Sequence, residues 1–264
     1  MQVGVSTWYP ADVTGGLDAD VASFLARLTT PPTTERASLY TTLILSLKSA
    51  GVWSKLDALW VMAAADSQAA RLNLVSSSYT LTPVSNPVFT VDRGYQGDAS
   101  ASYLDTNMDT GAGGGVKIQR NSAFIGCYVN TATTGADVRE MGSRNFAVNL
   151  LNLTSGMSFR SSATNSDSTV ATFANSIGFG ATNRNNSANH DIYKNGVYVE
   201  TLTRGSVILS SSNCLICAFN NNGVPSQFSA KRVASAAIGQ DLTAGETLAL
   251  YNAILSYLTA VGGN

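Results

Sequence analysis

The chain has 264 residues, of which 44% are hydrophobic, and a formal net charge of -1. That is enough apolar material for a sizeable core and too little charge for a disordered chain, and no apolar run approaches the ~18 residues of a membrane span. Charged residues make up only 12%, and the 16 Lys+Arg lie scattered among 17 Asp+Glu, which excludes a basic nucleic-acid patch.

Polarity comes instead from 31 Ser, 26 Thr and 21 Asn, so the predicted surface is polar and largely uncharged. The opening MQVGVSTWYPADVTGG has no basic start followed by an apolar stretch and does not read as a secretory leader; Met1–Gly16 is read as an arm. Asp18 is placed to cap a helix whose Val21, Phe24, Leu25 and Leu28 share one face. Pro31 and Pro32 interrupt. A second helix is predicted from Thr34 to Ser49, with Tyr40, Leu43, Ile44 and Leu47 as its stripe and Gly51 at its C-terminal cap.

After Gly51 the pattern turns to strands. Leu56–Ala64 is a continuous apolar run suited to a buried strand, and Asp66–Val75 reads as a helical turn followed by a strand. Pro83, Pro87, Gly94 and Gly97 punctuate the next stretch. Ala123–Val129 alternates, with Ile125, Cys127 and Val129 on one side and Phe124, Gly126 and Tyr128 on the other. Phe146–Leu153, Met157–Arg160, Thr169–Phe173 and Ser176–Gly180 are predicted short strands, with Ser161–Ser168 and Asn183–Asn189 as loops; such spacing suggests a sandwich. Asn195-Gly196 is a two-residue hairpin turn, because both central positions need positive φ. Leu215–Phe219 and Phe228–Ile238 are further strands. A closing helix starts at a Thr243–Glu246 capping box, has Leu248, Tyr251, Ile254, Leu255 and Leu258 on one face, and ends at Gly262 and Gly263.

Cys214 and Cys217 are spaced C-x-x-C, but within a predicted strand their side chains would point to opposite faces, and no second ligand pair accompanies them. With Cys127 they are read as small apolar residues; an intermolecular bridge is the alternative.

The stretches AGVWSKLDALWVMAAADSQAARLNLV, NPVFTVDRGYQGDASASYLDT, IYKNGVYVE and AAIGQDLTAGETLALYNAILSYLTAVG resemble a group of phage virion proteins similar to the concanavalin A-like, or laminin-G-like, jelly-roll superfamily. The matching motifs are Y-x-N-G at Tyr193–Gly196 and I-G-x-x-L-T-x-x-E at Ile238–Glu246. They mark a fold and carry no catalysis. The resemblance implies a mainly β, two-sheet antiparallel jelly-roll sandwich with N-terminal helices and a C-terminal helix. Residues 1–51 form the arm and helical segment, a candidate for attachment to the particle, and residues 52–264 form the jelly roll with its closing helix.

Several chemistries are sought and not found. The E-x-D-x-x-E spacing of glycan hydrolases with this sandwich is absent; the nearest acids, Asp137 and Glu140, read as a solvated turn paired with Arg139 and Arg144. His190 lacks a nucleophile elbow and reads as a surface or loop-supporting residue. Gly111–Gly115 lacks the Lys-Ser/Thr of a phosphate loop. Asp92, Asp98, Asp105 and Asp109 offer oxygen donors that calcium favours, but without EF-type spacing, so no cofactor is assigned and calcium stays an alternative to loop stabilisation.

Binding chemistry has more material. Asn183, Asn185, Asn186, Asn189 and His190 supply polar groups in one loop and Asn220, Asn221 and Asn222 in another, with Tyr95, Tyr103, Tyr128 and above all Tyr198 as platforms for a sugar ring; turn preference of Asn is the competing explanation. The expectation is a non-enzymatic, oligomeric virion protein, assembled in the host bacterial cytoplasm and displayed as a fibre, spike or decoration. Its partners are other virion proteins and bacterial surface glycans. The alternatives are a purely architectural decoration protein and a polysaccharide depolymerase that depends on Glu140.

Overall fold

The computed structural model describes residues 16–111, 117–132, 138–149, 157–161, 168–170 and 176–264. The predicted arm up to residue 15, most of Gly111–Gly115, Asp137, the far ends of the strands predicted at Phe146–Leu153 and Thr169–Phe173, and most of the loop Ser161–Ser168 lie outside the described residues.

Helix α1 (Ala19–Leu25) starts at Asp18, whose carboxylate accepts from the Asp20 N–H. Helix α2 (Thr34–Ser49) is capped by the Thr33 hydroxyl and stops before Gly51, which takes φ +75°. Strands follow: β1 (Leu56–Val61), β2 (Thr82–Val84), β3 (Val88–Thr90), β4 (Gly94–Gln96), β5 (Tyr103–Asp109) and β6 (Ala123–Val129). Next come β7 (Met141–Ser143), β8 (Phe146–Asn149), β9 (Met157–Ser161), β10 (Ser168–Val170), β11 (Gly178–Arg184) and β12 (Asn189–Lys194). The last are β13 (Val197–Thr203), β14 (Asn213–Ile216), β15 (Phe219–Asn221), β16 (Val224–Ser226) and β17 (Arg232–Gly239), before helix α3 (Ala244–Val261).

The chain is mainly β, with two sheets and three α-helices among the described residues. The first sheet runs β13-β12-β11-β6-β17-β4-β3, with β1 also on β17; the second runs β10-β9-β8-β7-β14-β5-β2, with the β15–β16 hairpin attached at β7. One apolar cluster joins Trp60, Ile125 and Ile238 of the first sheet to Leu104, Met141 and Ile216 of the second. Another joins Leu59, Phe124 and Phe179 of the first sheet to Phe24, Tyr40 and Leu258 of the helices. The first sheet is therefore the middle layer. β1 and β6 are buried at every position, which an alternating strand achieves only when both faces are covered. The alternation read in β6 divides accordingly: Ile125, Cys127 and Val129 face the second sheet, Phe124 and Tyr128 the helices. Gly126 keeps that helix side open, since a Cβ there would lie 2.7 Å from the Phe179 ring.

Several predicted elements are corrected. Asp66–Val75 contains a single 3-10 turn, Ala69–Arg71, and no strand. Asn73 stands in for one: its Oδ1 accepts from Leu59 N–H and Val75 N–H, while its Nδ2 donates to Asp57 O, Ser76 Oγ and Ser78 O. Fully buried, it satisfies the edge of β1 that faces away from β17. The strand predicted at Leu215–Phe219 breaks into β14 and β15 at Cys217, which takes φ +65°. Cys214 and Cys217 thus belong to the same inter-sheet cluster and not to opposite faces; both are free and fully buried, as is Cys127. The Asn195-Gly196 hairpin forms as predicted, with φ +51° and +75°.

Helix α3 carries the full Thr243/Glu246 capping box, and Glu246 also pairs with Lys55 at 2.7 Å, tying the helix start to the segment before β1. Its buried face is Thr247, Leu250, Ile254, Tyr257 and Leu258; Leu248, predicted on that face, is exposed. Tyr257 stacks on Tyr40 at 5.3 Å and accepts from Arg36 Nη1 at 2.9 Å, so α2 and α3 meet over the first sheet. Among the described residues no helix is long and apolar enough to cross a membrane.

Candidate functional site

The loop predicted at Asn183–Asn189 is shorter than expected, because β11 continues through Arg184. Asn183 is a buried strand residue whose Oδ1 accepts from Leu242 N–H at 2.7 Å, fixing the approach to α3. Only Asn185 and Asn186 stand at the exposed tip. Asn186 is largely engaged there: its Oδ1 accepts from the N–H groups of Ala188 and Asn189, and its Nδ2 donates to Asn185 Oδ1. Asn189 begins β12 opposite Thr203. Tyr198 is exposed on the edge strand β13, paired with Tyr193 near the other end of β12. Four strand rises, ~13 Å, separate it from the Asn tip, so the two do not form one site.

On the second sheet Asn220 is buried and structural: Nδ2 donates to Asn213 O and Oδ1 accepts from Gly223 N–H. Asn222 and Gly223 take positive φ in the β15–β16 turn, the conformation that favours these residues. Asn221 is exposed and accepts from Arg144 Nη1 at 2.8 Å. Of the other platforms, Tyr95 and Tyr128 are buried, and Tyr103 is half-buried beside Phe228.

His190 is not at the surface. It is 2% exposed, and its Nδ1 lies 2.9 Å from Thr182 Oγ1. Its place in β12, two residues from Ile192 of the inter-sheet cluster, puts it on the face toward the second sheet with Lys194; Thr182 and Arg184 share that face on β11. Burial, reinforced by Arg184 and Arg204, pushes the imidazole down to about 3 and keeps it neutral. Burial likewise pushes the Lys194 ammonium down to about 8, and Lys194 Nζ donates to Ile177 O at 2.6 Å.

The turn predicted to be solvated around Glu140 is interior. Glu140 is fully buried, accepts from Lys231 Nζ at 2.9 Å and from Ser229 Oγ at 3.3 Å, and lies beside a 1% exposed Arg139. The predicted partner Arg144 bonds Asn221 instead. The four aspartates of the calcium alternative hold local backbone and cations: Asp98 accepts from three successive N–H groups, Asp105 from Asn107 and Asn213, Asp109 from Gly111, and Asp92 from Arg36. Among the described residues no three His, Cys, Asp or Glu side chains gather in metal-ligand fashion.

Sequence reasoning missed a cavity of about 230 Å³ between the α1–α2 connection and the segment after β1. Leu28, Pro31, Pro32 and Arg36 line it from one side of the chain, Ala65, Asp66 and Ala69 from the other, with Tyr40 between. Gln68 ties the two segments: its Oε1 accepts from Thr29 N–H and its Nε2 donates to Arg27 O. Arg36 is held by Tyr257 and, at 2.6 Å, by Asp92. Asp66 Oδ1 accepts from Gln68 and Ala69 N–H, both at 2.9 Å. In the sequence, the prolines read only as an interruption and Asp66 only as a turn residue, and nothing local pairs segments whose linking bonds span 39 and 41 positions.

No protein-family model and no curated protein sequence matches the chain. Solved structures share its fold. A botulinum neurotoxin type C chain, described as interacting with two ganglioside molecules, matches at TM-score 0.53 and 11% identity, over 78% of this chain and 53% of that one. A Trypanosoma rangeli sialidase bound to 2,3-difluoro-KDN matches at 0.52 and 11%, over 81% and 39%. A mutant of that sialidase displaying trans-sialidase activity matches at 0.52 and 12%, over 88% and 40%. The chain thus spans about half or less of these proteins, and at such identity the likeness is one of fold. It still overturns one expectation: enzymes are among the chains that share this fold, so the fold does not mark the protein as non-enzymatic, and that reading is withdrawn.

Proposed function

We propose that the chain is a carbohydrate-binding component of a bacteriophage particle, displayed on its exterior as a fibre, spike or decoration, with its two sheets arranged as a concanavalin A-like jelly roll. The observation that carries the binding part is the two-sheet fold, shared with a neurotoxin chain that interacts with gangliosides. The uncharged polar surface supports it, since low charge limits nonspecific adhesion. The phage part rests on the resemblance at Tyr193–Gly196 and Ile238–Glu246. Several copies on one particle would compensate for weak single sites through avidity.

A purely architectural role is the second reading. It is favoured by the internal engagement of the Asn186 and Asn221 side chains, which leaves these tips fewer free groups for a sugar. A glycan array probed with the purified chain, displayed multivalently, separates the two. Binding to a defined group of glycans is expected; an empty array together with tight binding to purified capsid or tail subunits would replace the first reading with the second. Sugar reducing ends accumulating during incubation would identify a hydrolase. Immunogold labelling of intact particles checks the display, and unlabelled particles would refute it.

A further inference from the structure

We propose that the cavity lined by Pro31, Pro32, Arg36 and Asp66 is the sugar site, and that it takes one neutral monosaccharide unit, free or at the end of a glycan. This rests on the carbohydrate-binding reading above and assigns it a place away from the asparagine loops. Size sets the first limit. About 230 Å³ lies below the ~300–1,000 Å³ of sites for drug-sized ligands, which leaves room for one ring and not for a chain of them.

The walls are preformed. Two consecutive prolines fix their own φ, Gln68 clamps the α1–α2 connection to the segment after β1, and Arg36 is anchored at two of its nitrogens. Little ordering remains to be done on binding, which favours a small ligand with few contacts.

The polar groups select the ligand class. Asp66 Oδ1 already accepts two N–H groups, whereas Oδ2 makes no hydrogen bond among the described residues and stays an acceptor. Arg36 keeps donors beyond those given to Tyr257 and Asp92, because a guanidinium carries five N–H groups. A sugar hydroxyl both donates and accepts, so adjacent hydroxyls suit a carboxylate and a guanidinium lining the same space. Asp92 already balances the charge of Arg36, so the Asp66 carboxylate opposes an anionic ligand, whereas a neutral polyol can donate to Asp66 and accept from Arg36 without charge repulsion. Leu28, the two prolines, Ala65 and Ala69 offer apolar surface for the C–H side of the ring.

The experiment titrates the full chain with neutral hexoses, N-acetylhexosamines, deoxyhexoses and sialic acid by saturation-transfer NMR and calorimetry, beside the same glycan array. Two variants accompany the wild type. Ala65→Trp fills the cavity from an exposed position. Asp66→Asn keeps an oxygen for the two N–H bonds and replaces the free acceptor with a donor. The expected result is binding of at least one neutral sugar, weakened tenfold or more in both variants with an unchanged melting temperature. If one variant fails to fold, the other and the shifts of Ala65 and Ala69 resonances on adding sugar to the wild type decide. Array binding that both variants retain would overturn this site and leave the carbohydrate-binding reading standing. A wild type that binds no sugar on the array or in solution would overturn both. Preference for sialic acid at the variant-sensitive site would overturn the neutral-ligand assignment.

Discussion

Acidification from pH 7 to pH 5 tests the interior position of His190. The chain has one histidine, so between pH 5 and 6.5 a single side chain dominates the proton linkage. In the unfolded chain that imidazole titrates near ~6.5; in the folded protein burial and the neighbouring Arg184 and Arg204 hold it down to about 3. Between those values the unfolded state binds a proton that the folded state refuses, so stability falls as pH falls. The loss approaches ~1.4 kcal/mol per pH unit and sums to about 2 kcal/mol between pH 7 and pH 5. Asp18, Asp98 and Glu246 are held below their ordinary values, and the stability they contribute is lost mainly below ~pH 5. Urea unfolding followed by tryptophan fluorescence at pH 7, 6 and 5 measures the slope, and His190→Gln removes the titrating group. The wild type should lose about 2 kcal/mol and the variant less than ~0.5 kcal/mol over the same range. A wild-type slope as flat as the variant's, or an imidazole that titrates near 6.5 by NMR in the folded chain, would refute the burial argument.

Three further outcomes follow from single contacts. Glu140→Gln leaves the Lys231 ammonium buried without its carboxylate and should cost about 3–5 kcal/mol in chemical denaturation; replacing both residues by apolar ones should recover much of it, and a loss under ~1 kcal/mol would contradict the buried pair. Asn73→Ala removes five hydrogen bonds, two of them to the edge of β1 at Asp57 and Leu59 and three to the segment Val75–Ser78, with an expected loss of about 2–4 kcal/mol and faster amide exchange at Leu59; unchanged protection there would show that the side chain does not hold the edge. Gly196→Ala forces a Cβ onto φ +75° and within 2.9 Å of the Tyr251 ring, so a melting curve should register a loss of about 1–3 kcal/mol, and an unaltered curve would mean that the turn relaxes freely.

Local signals were legible where the chain satisfies itself locally. The caps at Asp18 and Thr243 and the Asn195-Gly196 turn are each set by a few neighbouring residues, and a reader needs no fold to see them. The alternation in β6 was readable too, but not its consequence, because the sequence does not say that the second side meets helices from both ends of the chain. What escaped depends on distant partners. Glu140 looked solvated because Lys231 is 91 positions away. His190 looked exposed because Asn183–Asn189 before it was read as a loop, whereas β11 runs on to Arg184 and β12 starts at Asn189. The asparagines looked like sugar ligands because asparagine suits both turns and hydroxyls, and only the hydrogen bonds of Asn183 and Asn220 show which role each has. The cavity needs two segments joined by Gln68, and no local pattern announces it.

The helical layer has a consequence for how the protein is made. Arg36 and Tyr257 touch across 221 positions, and although α2 meets α1 where Phe24 packs on Tyr40, the side of Tyr40 that stacks on Tyr257 stays uncovered until α3 has been synthesised. During translation that α3-facing side must therefore wait while every strand between the helices is made. Such a high contact order predicts slow folding, with docking of α3 among the late steps. A nascent chain halted before residue 244 should keep α1 and α2 open to chaperones and proteases, and release of the remaining segment should close them.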